Sequence, residues 1–224
     1  MTALPQMGRS FGTDPVGLNI GVTAYMLTVA VFIPVSGWMV DRFGARGVFA
    51  AAIAIFTGAS VLCGFSQDQW SFTACRVLQG AGGAMMMPVG RLVMLRGTEK
   101  RDLVRLIAYV TMAGLVAPVL GPPVGGGITT YLGWRWIFFL NVPLGLIGVG
   151  FALALIGRER AAAPQRFDLV GFLLRGGACV ALTYGLELLG RAPTPCLAMT
   201  VFVGAGLALG ALAIRHLRCA APTS

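Results

Sequence analysis

Long apolar segments, separated by short gaps that carry arginines, run through almost the whole of this sequence. A helix that crosses a bilayer needs about 20 mostly apolar residues, because it rises about 1.5 Å per residue through a hydrocarbon layer of about 30 Å. Seven segments qualify: residues 16–40, 47–65, 71–93, 102–130, 134–156, 168–190 and 196–214. Since the gaps are short, consecutive spans run antiparallel. The sequence therefore predicts an all-α integral membrane bundle of seven transmembrane helices.

The composition argues against a soluble protein. Of the 224 residues, 57% are hydrophobic and 11% are charged, whereas a soluble domain usually has about a quarter of its residues charged. The net charge of +9 has two explanations: binding to nucleic-acid phosphates, or cationic loops that set membrane topology. Most arginines fall in the gaps between apolar segments, which favours topology. The lipid bilayer is the expected partner, and nucleic acid is not.

The cations alternate between rich gaps and poor gaps, and this sets the orientation. The rich gaps and the tail contain Arg42 and Arg46; Arg96, Lys100 and Arg101; Arg158, Arg160 and Arg166; Arg215 and Arg218. By the positive-inside rule these lie in the cytoplasm. A multi-pass protein of the cell inner membrane is thus expected, with a cytoplasmic loop at 157–167 and a cytoplasmic tail at 215–224.

The opposite side of the membrane receives the N-terminus and the aromatic residues. Residues 1–15 form an outer segment without a signal peptide, and they resemble the tail of an earlier helix, so one upstream span is expected to be missing. Aromatic side chains gather at membrane interfaces. Those expected in an outer belt are Trp70, Tyr131, Trp134 and Trp136.

Signatures of soluble-type catalysis are missing from the sequence. It has no nucleotide-binding loop, zinc-ligand cluster or nucleophile elbow, and its five cysteines have no metal-ligand spacing. We therefore expect no enzyme, no catalytic residue and no metal site.

The first charged gap reads Gly37-Trp-Met-Val-Asp41-Arg42-Phe-Gly44-Ala-Arg46. A carboxylate is unfavourable at the C-terminal end of a helix, where the dipole is negative. Asp41 is tolerable there if it caps a neighbouring helix or pairs with an arginine. An ordinary charged turn is the simpler alternative.

The third span contains a cation within its apolar length. Arg76 and Gln79 share one helix face, with Gly80 beside it. Intramembrane charge is costly and usually faces a polar cavity or a partner, so a functional role is favoured. The alternative is that Arg76 extends to the membrane interface.

The fourth span is rich in glycine and proline. Prolines remove helical hydrogen bonds and glycines form a bare stripe, which predicts a kinked helix packed tightly against a neighbour. A purely structural kink is the alternative. The residues concerned are Gly114, Pro118, Gly121, Pro122, Pro123, Gly125, Gly126 and Gly127.

Polar residues also occur in the last three spans. Pro143 frees the carbonyl of Phe139, which Asn141 or a neighbouring helix is expected to help satisfy. Arg175 and Glu187 each lie about two turns from a helix end, so both can reach the interface.

Together these motifs resemble the major facilitator superfamily, and within it the fourteen-span drug:proton antiporters typified by the EmrB/QacA multidrug exporters. The stretch 37–46 is similar to the superfamily's loop motif, with Met39 and Ala45 as departures. Arg76, Gln79, Gly80 and Gly82 are similar to its fourth-helix motif. The stripe from Gly114 to Gly126 resembles its antiporter motif. The run 134–143 and the pair Phe167-Asp168, with Gly171 after it, resemble this subgroup in particular.

The resemblance also implies what part of a transporter is present. The seven spans are similar to family helices two to eight. Residues 16–156 would be a partial N-terminal half, and 168–190 and 196–214 the two linker helices between the halves. The family's first helix and last six helices would be the missing remainder.

The activity implied is alternating access, in which inward proton movement drives export of small lipophilic or cationic compounds. The proton gradient is the energy source and no cofactor is implied. Asp41, Arg42 and Arg46 would form a cytoplasmic latch, and Arg76 would couple protons. The alternative is a truncated membrane fragment with no transport activity of its own.

Overall fold

The computed structural model describes residues 4–12, 15–97, 101–157, 167–189 and 196–220. Within these ranges the chain is helical, with no β-strand, so the all-α fold is confirmed. The helices are α1 (Leu4–Phe11), α2 (Pro15–Phe32), α3 (Val35–Phe43), α4 (Ala45–Phe65), α5 (Gln69–Gly97), α6 (Leu103–Tyr131), α7 (Arg135–Phe139), α8 (Asn141–Leu155), α9 (Leu169–Leu189) and α10 (Cys196–Ala220). Arg158, Arg160, Arg166 and Lys100 lie outside the described residues, as do the ends of the outer segment and the tail.

Half a dozen stretches at most, among the described helices, are long and apolar enough to cross a membrane. Five stretches qualify on their own: Ala45–Phe65, Leu103–Tyr131, Arg135–Leu155, Leu169–Leu186 and Ala198–His216. The bent pair α2 and α3 makes a sixth when counted as one span. Helix α5 has 29 residues and is long enough, but it is not among these apolar stretches. The span predicted at 71–93, the remaining one of the seven, therefore stays a prediction.

The expected span 16–40 is broken near its C-terminal end. Segments Asn19–Phe32 and Val35–Phe43 meet at an angle of 57°. Pro34 lies at the break and has no N–H to donate, so the α2 hydrogen-bond pattern cannot run through it. The Ser36 backbone N–H and hydroxyl instead donate to the Ile33 carbonyl, at 3.1 and 2.7 Å. The bend separates the loop motif on α3 from the rest of the span.

Helix α5 lies between α2 and α4, and two glycines allow its close approach. A Cβ built on Gly80 would lie 2.8 Å from the Tyr25 carbonyl oxygen of α2. One built on Gly82 would lie 2.8 Å from the Phe56 nitrogen of α4 and 2.9 Å from the Ala52 oxygen. Small residues at such crossings let helix backbones pack directly in membranes.

Replacing Gly82 with alanine is expected to destabilise the chain, because the new methyl group meets the α4 backbone, which cannot rotate away. Overpacking of this kind costs about 1–3 kcal/mol, so the melting temperature of the detergent-purified chain should fall. Gly58→Ala is the matched control, since a Cβ there meets nothing within 4 Å and alanine favours helix by up to about 1 kcal/mol. Equal melting temperatures for the two variants would refute the close α4–α5 contact.

An aromatic cluster lies at the end of the bundle opposite to the loop motif. Trp134, with 4% of its surface exposed, packs with Met7, Phe72 and Phe138, and its Nε1–H donates to the Ser10 hydroxyl at 3.2 Å. Trp134 therefore does not face the lipid as the expected belt residue would, because α1 covers it, and its depth at the outer interface stays a prediction. The other members of that belt are exposed: Trp70, Tyr131 and Trp136.

Candidate functional site

A hydrogen-bonded polar network lies inside the bundle and centres on Ser60 of α4. The Ser60 hydroxyl is fully buried and donates to the Phe56 carbonyl at 2.9 Å. It accepts from the Gln79 amide of α5 at 2.6 Å and from the Asn141 amide of α8 at 3.2 Å. One hydroxyl thus joins three helices and uses all of its hydrogen-bonding capacity.

Arg76 extends this network into an aromatic pocket. Its Nη1 donates to the Gln79 side-chain oxygen at 2.8 Å. The guanidinium carbon lies 5.3, 5.5 and 5.2 Å from the ring centroids of Tyr25, Phe72 and Phe138. These rings belong to α2, α5 and α7, and each distance is within the range of a cation–π contact. The side chain is therefore directed into the bundle, which does not match the interfacial alternative.

The charge of Arg76 has no carboxylate partner among the described residues, where no ion pair to it lies within 4.0 Å. Its Nε atom is also buried, and it has no hydrogen-bond partner among the residues that the structure describes. A buried cation is costly unless it is paired. Aromatic faces and one amide are what compensate it here. Such a group retains a strong attraction for any carboxylate or negative charge that enters the bundle beside it.

Three members of this site escaped the sequence reasoning. Ser60 and Tyr25 lie in apolar helices where a single hydroxyl is common, so no local pattern marks them. Thr57, one turn before Ser60, has a buried hydroxyl with no partner among the described residues and faces Gly145 of α8. Ser60 is identified only in the structure, because the buried Gln79 side chain, 1% exposed, lies across from it on α5.

Asn141 has a different role from the expected one. Its side chain donates to Ser60 of the neighbouring helix, whereas it was expected to help satisfy the Phe139 carbonyl. Pro143 is the third residue of α8, in the first turn of a helix, where proline is tolerated because that N–H would lack an intrahelical acceptor.

The loop motif covers most of α3, the connecting residue Gly44 and the first two residues of α4. Gly44 has φ +80°, a value that strongly favours glycine, and its N–H donates to the Val40 carbonyl at 2.8 Å. Arg46 donates to the Leu153 carbonyl at the end of α8.

Two other motif residues behave differently. The Arg42 guanidinium lies 5.9 Å from the Trp38 ring. Asp41 makes no ion pair with any side chain that the structure describes, so the expected pairing is not seen there. Gly37 has open space around it.

The glycine stripe of α6 is not packed against a neighbour. Side chains built at Gly114, Gly121, Gly125 and Gly126 would meet no other group within 4 Å. The expected tight packing is therefore wrong for the described residues, because none of their helices covers this face. The helix is continuous through Pro118, Pro122 and Pro123. Near its end, the Thr129 and Thr130 hydroxyls donate to the carbonyls four residues earlier, at 2.6 and 2.8 Å.

A second polar cluster surrounds Asp168 at the start of α9. Its Oδ1 accepts from the Gly171 N–H at 2.8 Å and lies 3.0 Å from Nε2 of His216 in α10. Arg175 Nη2 is 4.0 Å from Oδ2. The Gly171 hydrogen bond, followed by His216, lowers the pKa of this carboxyl below its ordinary value. Arg175 thus points back to the helix end as expected; the Glu187 side chain lies outside the described residues.

Replacing Asp168 with asparagine is expected to lower the melting temperature at neutral pH. The folded carboxyl has a lowered pKa, so its ionised form stabilises the fold above the ordinary carboxyl pKa, and this stabilisation is lost as the pH falls through the lowered value. The parent and the variant should therefore converge in acid. A difference in melting temperature that stays constant between neutral and acidic pH would show that ionisation of Asp168 is not responsible.

Comparison with known proteins agrees with these features. The family model described as the Major Facilitator Superfamily matches residues 1–214. Proteins named "Putative multidrug resistance protein MdtD" from Klebsiella pneumoniae and Salmonella newport are each 41% identical to this chain over 186 residues. The match covers 83% of this chain and 39% of each relative, so it spans about two-fifths of their length. The chain therefore belongs to the major facilitator superfamily.

Proposed function

We propose that this chain is the N-terminal part of a proton-coupled exporter of lipophilic or cationic compounds. The observation that carries the proposal is the network of Arg76, Gln79, Ser60 and Asn141, which places a cation without a carboxylate partner among the described helices. A purely structural bundle gains little from burying such a charge, whereas a transporter uses intramembrane charge to respond to protons.

The proposal extends to the subgroup and the architecture. The chain would belong to the fourteen-span EmrB/QacA-like antiporters, with residues 16–156 as a partial N-terminal half and α9 and α10 as linker helices. The names of the relatives support a role in multidrug resistance. The orientation would place the N-terminus outside and the C-terminus in the cytoplasm of the inner membrane, in keeping with the cation-rich gaps.

The parts of the site would act at different stages. Arg76, Gln79 and Gly80 would couple the proton to movement of the bundle. The motif from Gly37 to Arg46 would latch the cytoplasmic ends. The uncovered stripe on α6 would meet the second half of the transporter, and the substrate would bind between the halves near the midplane.

Efflux from cells tests this proposal. Cells that express the complete polypeptide containing this chain should accumulate less of a lipophilic cationic dye than cells without it, and a protonophore should abolish the difference. Equal accumulation with and without the complete polypeptide would contradict the proposal.

The second candidate is an inert membrane fragment. It is favoured by the open face of α6 and by the 39% coverage of the relatives, since a site between two halves cannot form in one copy of this chain. The purified chain alone in liposomes should then show no dye transport when a pH gradient is imposed. Transport under those conditions would exclude this candidate.

A further inference from the structure

A continuous row of aromatic rings crosses the bend between α2 and α3, and two of its members come from the distant α9 region. Phe32 ends α2 and lies 5.9 Å from Phe172. Phe172 lies 5.6 Å from Phe167, and Phe167 lies 4.9 Å from Trp38 of α3. The row begins on one side of the bend and ends on the other.

These separations are favourable for aromatic pairs. Ring centroids 4.5–7 Å apart in tilted or edge-to-face geometry contribute about 0.5–1.5 kcal/mol beyond the area that they bury. The Phe32–Phe172 and Phe167–Trp38 planes meet at 70° and 61°. Both ends of the row therefore make specific contacts.

The start of α9 is itself held in place, so it can act as a support. Asp168 follows Phe167 directly and bonds to the Gly171 N–H and to His216 of α10. Helix α9 also approaches α2, because a Cβ on Gly176 would lie 3.2 Å from the Val31 side chain. The two rings of the row that belong to this region thus project from an anchored hairpin.

The break at Pro34 lies where these rings cross. Between Ile33 and Val35 the regular helical hydrogen bonds are interrupted because Pro34 has no N–H, so side-chain contacts across the bend add to what fixes the 57° angle. Trp38 is itself part of the loop motif and packs against Phe43 and Arg42 of the same helix, at 6.2 and 5.9 Å. A contact that positions Trp38 therefore positions the motif with it.

We infer that the hairpin of α9 and α10 packs across the bend and fixes the angle between α2 and α3. Phe167 and Phe172 are the positioning residues for the loop motif. The significance of that position for transport rests on the proposed function, but the angle itself does not. The linker hairpin thus has a structural role within the N-terminal half, because its position determines the position of the cytoplasmic loop motif.

The angle can be measured in the 224-residue chain by a distance between two spin labels. The labels are introduced at Asn19 and Gly37 through genetically encoded non-natural amino acids, because the chain has five cysteines. Asn19 is exposed and a side chain at Gly37 meets nothing within 4 Å. The chain is placed in lipid nanodiscs, and no transport is required.

The parent should show one narrow distance, and Phe167→Leu/Phe172→Leu should broaden or shift it. Phe202→Leu is the matched control, because Phe202 pairs with Tyr184 within the same hairpin at 4.9 Å and does not touch the bend. Phe167→Tyr/Phe172→Tyr keeps the rings and should restore the parent distance. If the double leucine variant is not recovered as a folded protein, Phe167→Leu alone is judged by the same criterion.

Two results would overturn the inference: an unchanged distance in the leucine variants, or the same change in Phe202→Leu. Because the distance is read without transport, either result leaves the proposed export function to its own test.

Discussion

Replacing Arg76 with alanine is expected to reduce dye export by the complete transporter to the level of cells that lack it. The alanine side chain removes the guanidinium that contacts three aromatic rings and the Gln79 amide. The lost cation–π contacts, about 0.5–2 kcal/mol each, and the Gln79 oxygen left without this donor lower the stability, and removing a buried charge whose Nε has no described partner offsets part of this loss. Export is therefore compared at matched amounts of folded protein, and its loss is expected to exceed any loss of stability.

Two further substitutions separate a specific role from a general effect of charge. Arg91→Ala removes an exposed arginine from the same helix and should leave export unchanged. Arg76→Lys keeps a positive charge but loses the planar group that stacks on the rings, and should export poorly. Dye efflux is measured for all three variants at matched expression in the membrane. Normal export by Arg76→Ala would remove Arg76 from the coupling site.

Replacing Ser60 with alanine is expected to destabilise the chain by at least about 1–3 kcal/mol. The substitution removes the acceptor of the buried Gln79 amide and of the half-buried Asn141 amide. A buried donor left without a partner costs about 1–3 kcal/mol, and the loss of the Asn141 hydrogen bond adds to this. The contacts between α4, α5 and α8 should loosen together, because they share this hydroxyl.

Thr57→Val is the matched control for Ser60→Ala. It removes a hydroxyl of similar burial one turn away on the same helix, but this hydroxyl has no partner among the described residues. Stability should stay the same or rise, since the folded state no longer buries an unsatisfied polar group. Melting temperatures of the two purified variants provide the comparison. A larger loss in Thr57→Val than in Ser60→Ala would show that the network is not what stabilises this region.

The apolar segments alone were sufficient to predict the helical membrane fold, because a helix in lipid needs both length and apolarity, and both can be read locally. Arg76 and Gln79 were likewise predictable, since a charged residue within an apolar span is rare and can be recognised from the sequence alone. The partners of these two residues were not, because Ser60 lies 19 positions from Gln79 and Asn141 lies 81 from Ser60. Only the packing of α4, α5 and α8 brings them together.

The remaining errors have the same origin in tertiary packing. Trp134 looked lipid-facing because its neighbours are aromatic, yet α1 buries it in a core. The stripe on α6 looked packed because its glycines are regularly spaced, yet no described helix covers it. Spacing along a helix identifies a face, but the group that meets the face comes from elsewhere in the chain.

Proton-driven transport by the purified complete transporter in liposomes is the most direct test of the proposed coupling. The internal pH and the dye concentration are recorded together after a pH gradient is imposed. Dye movement against its gradient, accompanied by proton movement in the opposite direction and lost in Arg76→Ala, is the predicted result. Dye transport that proceeds at the same rate without a proton gradient would contradict proton-coupled export.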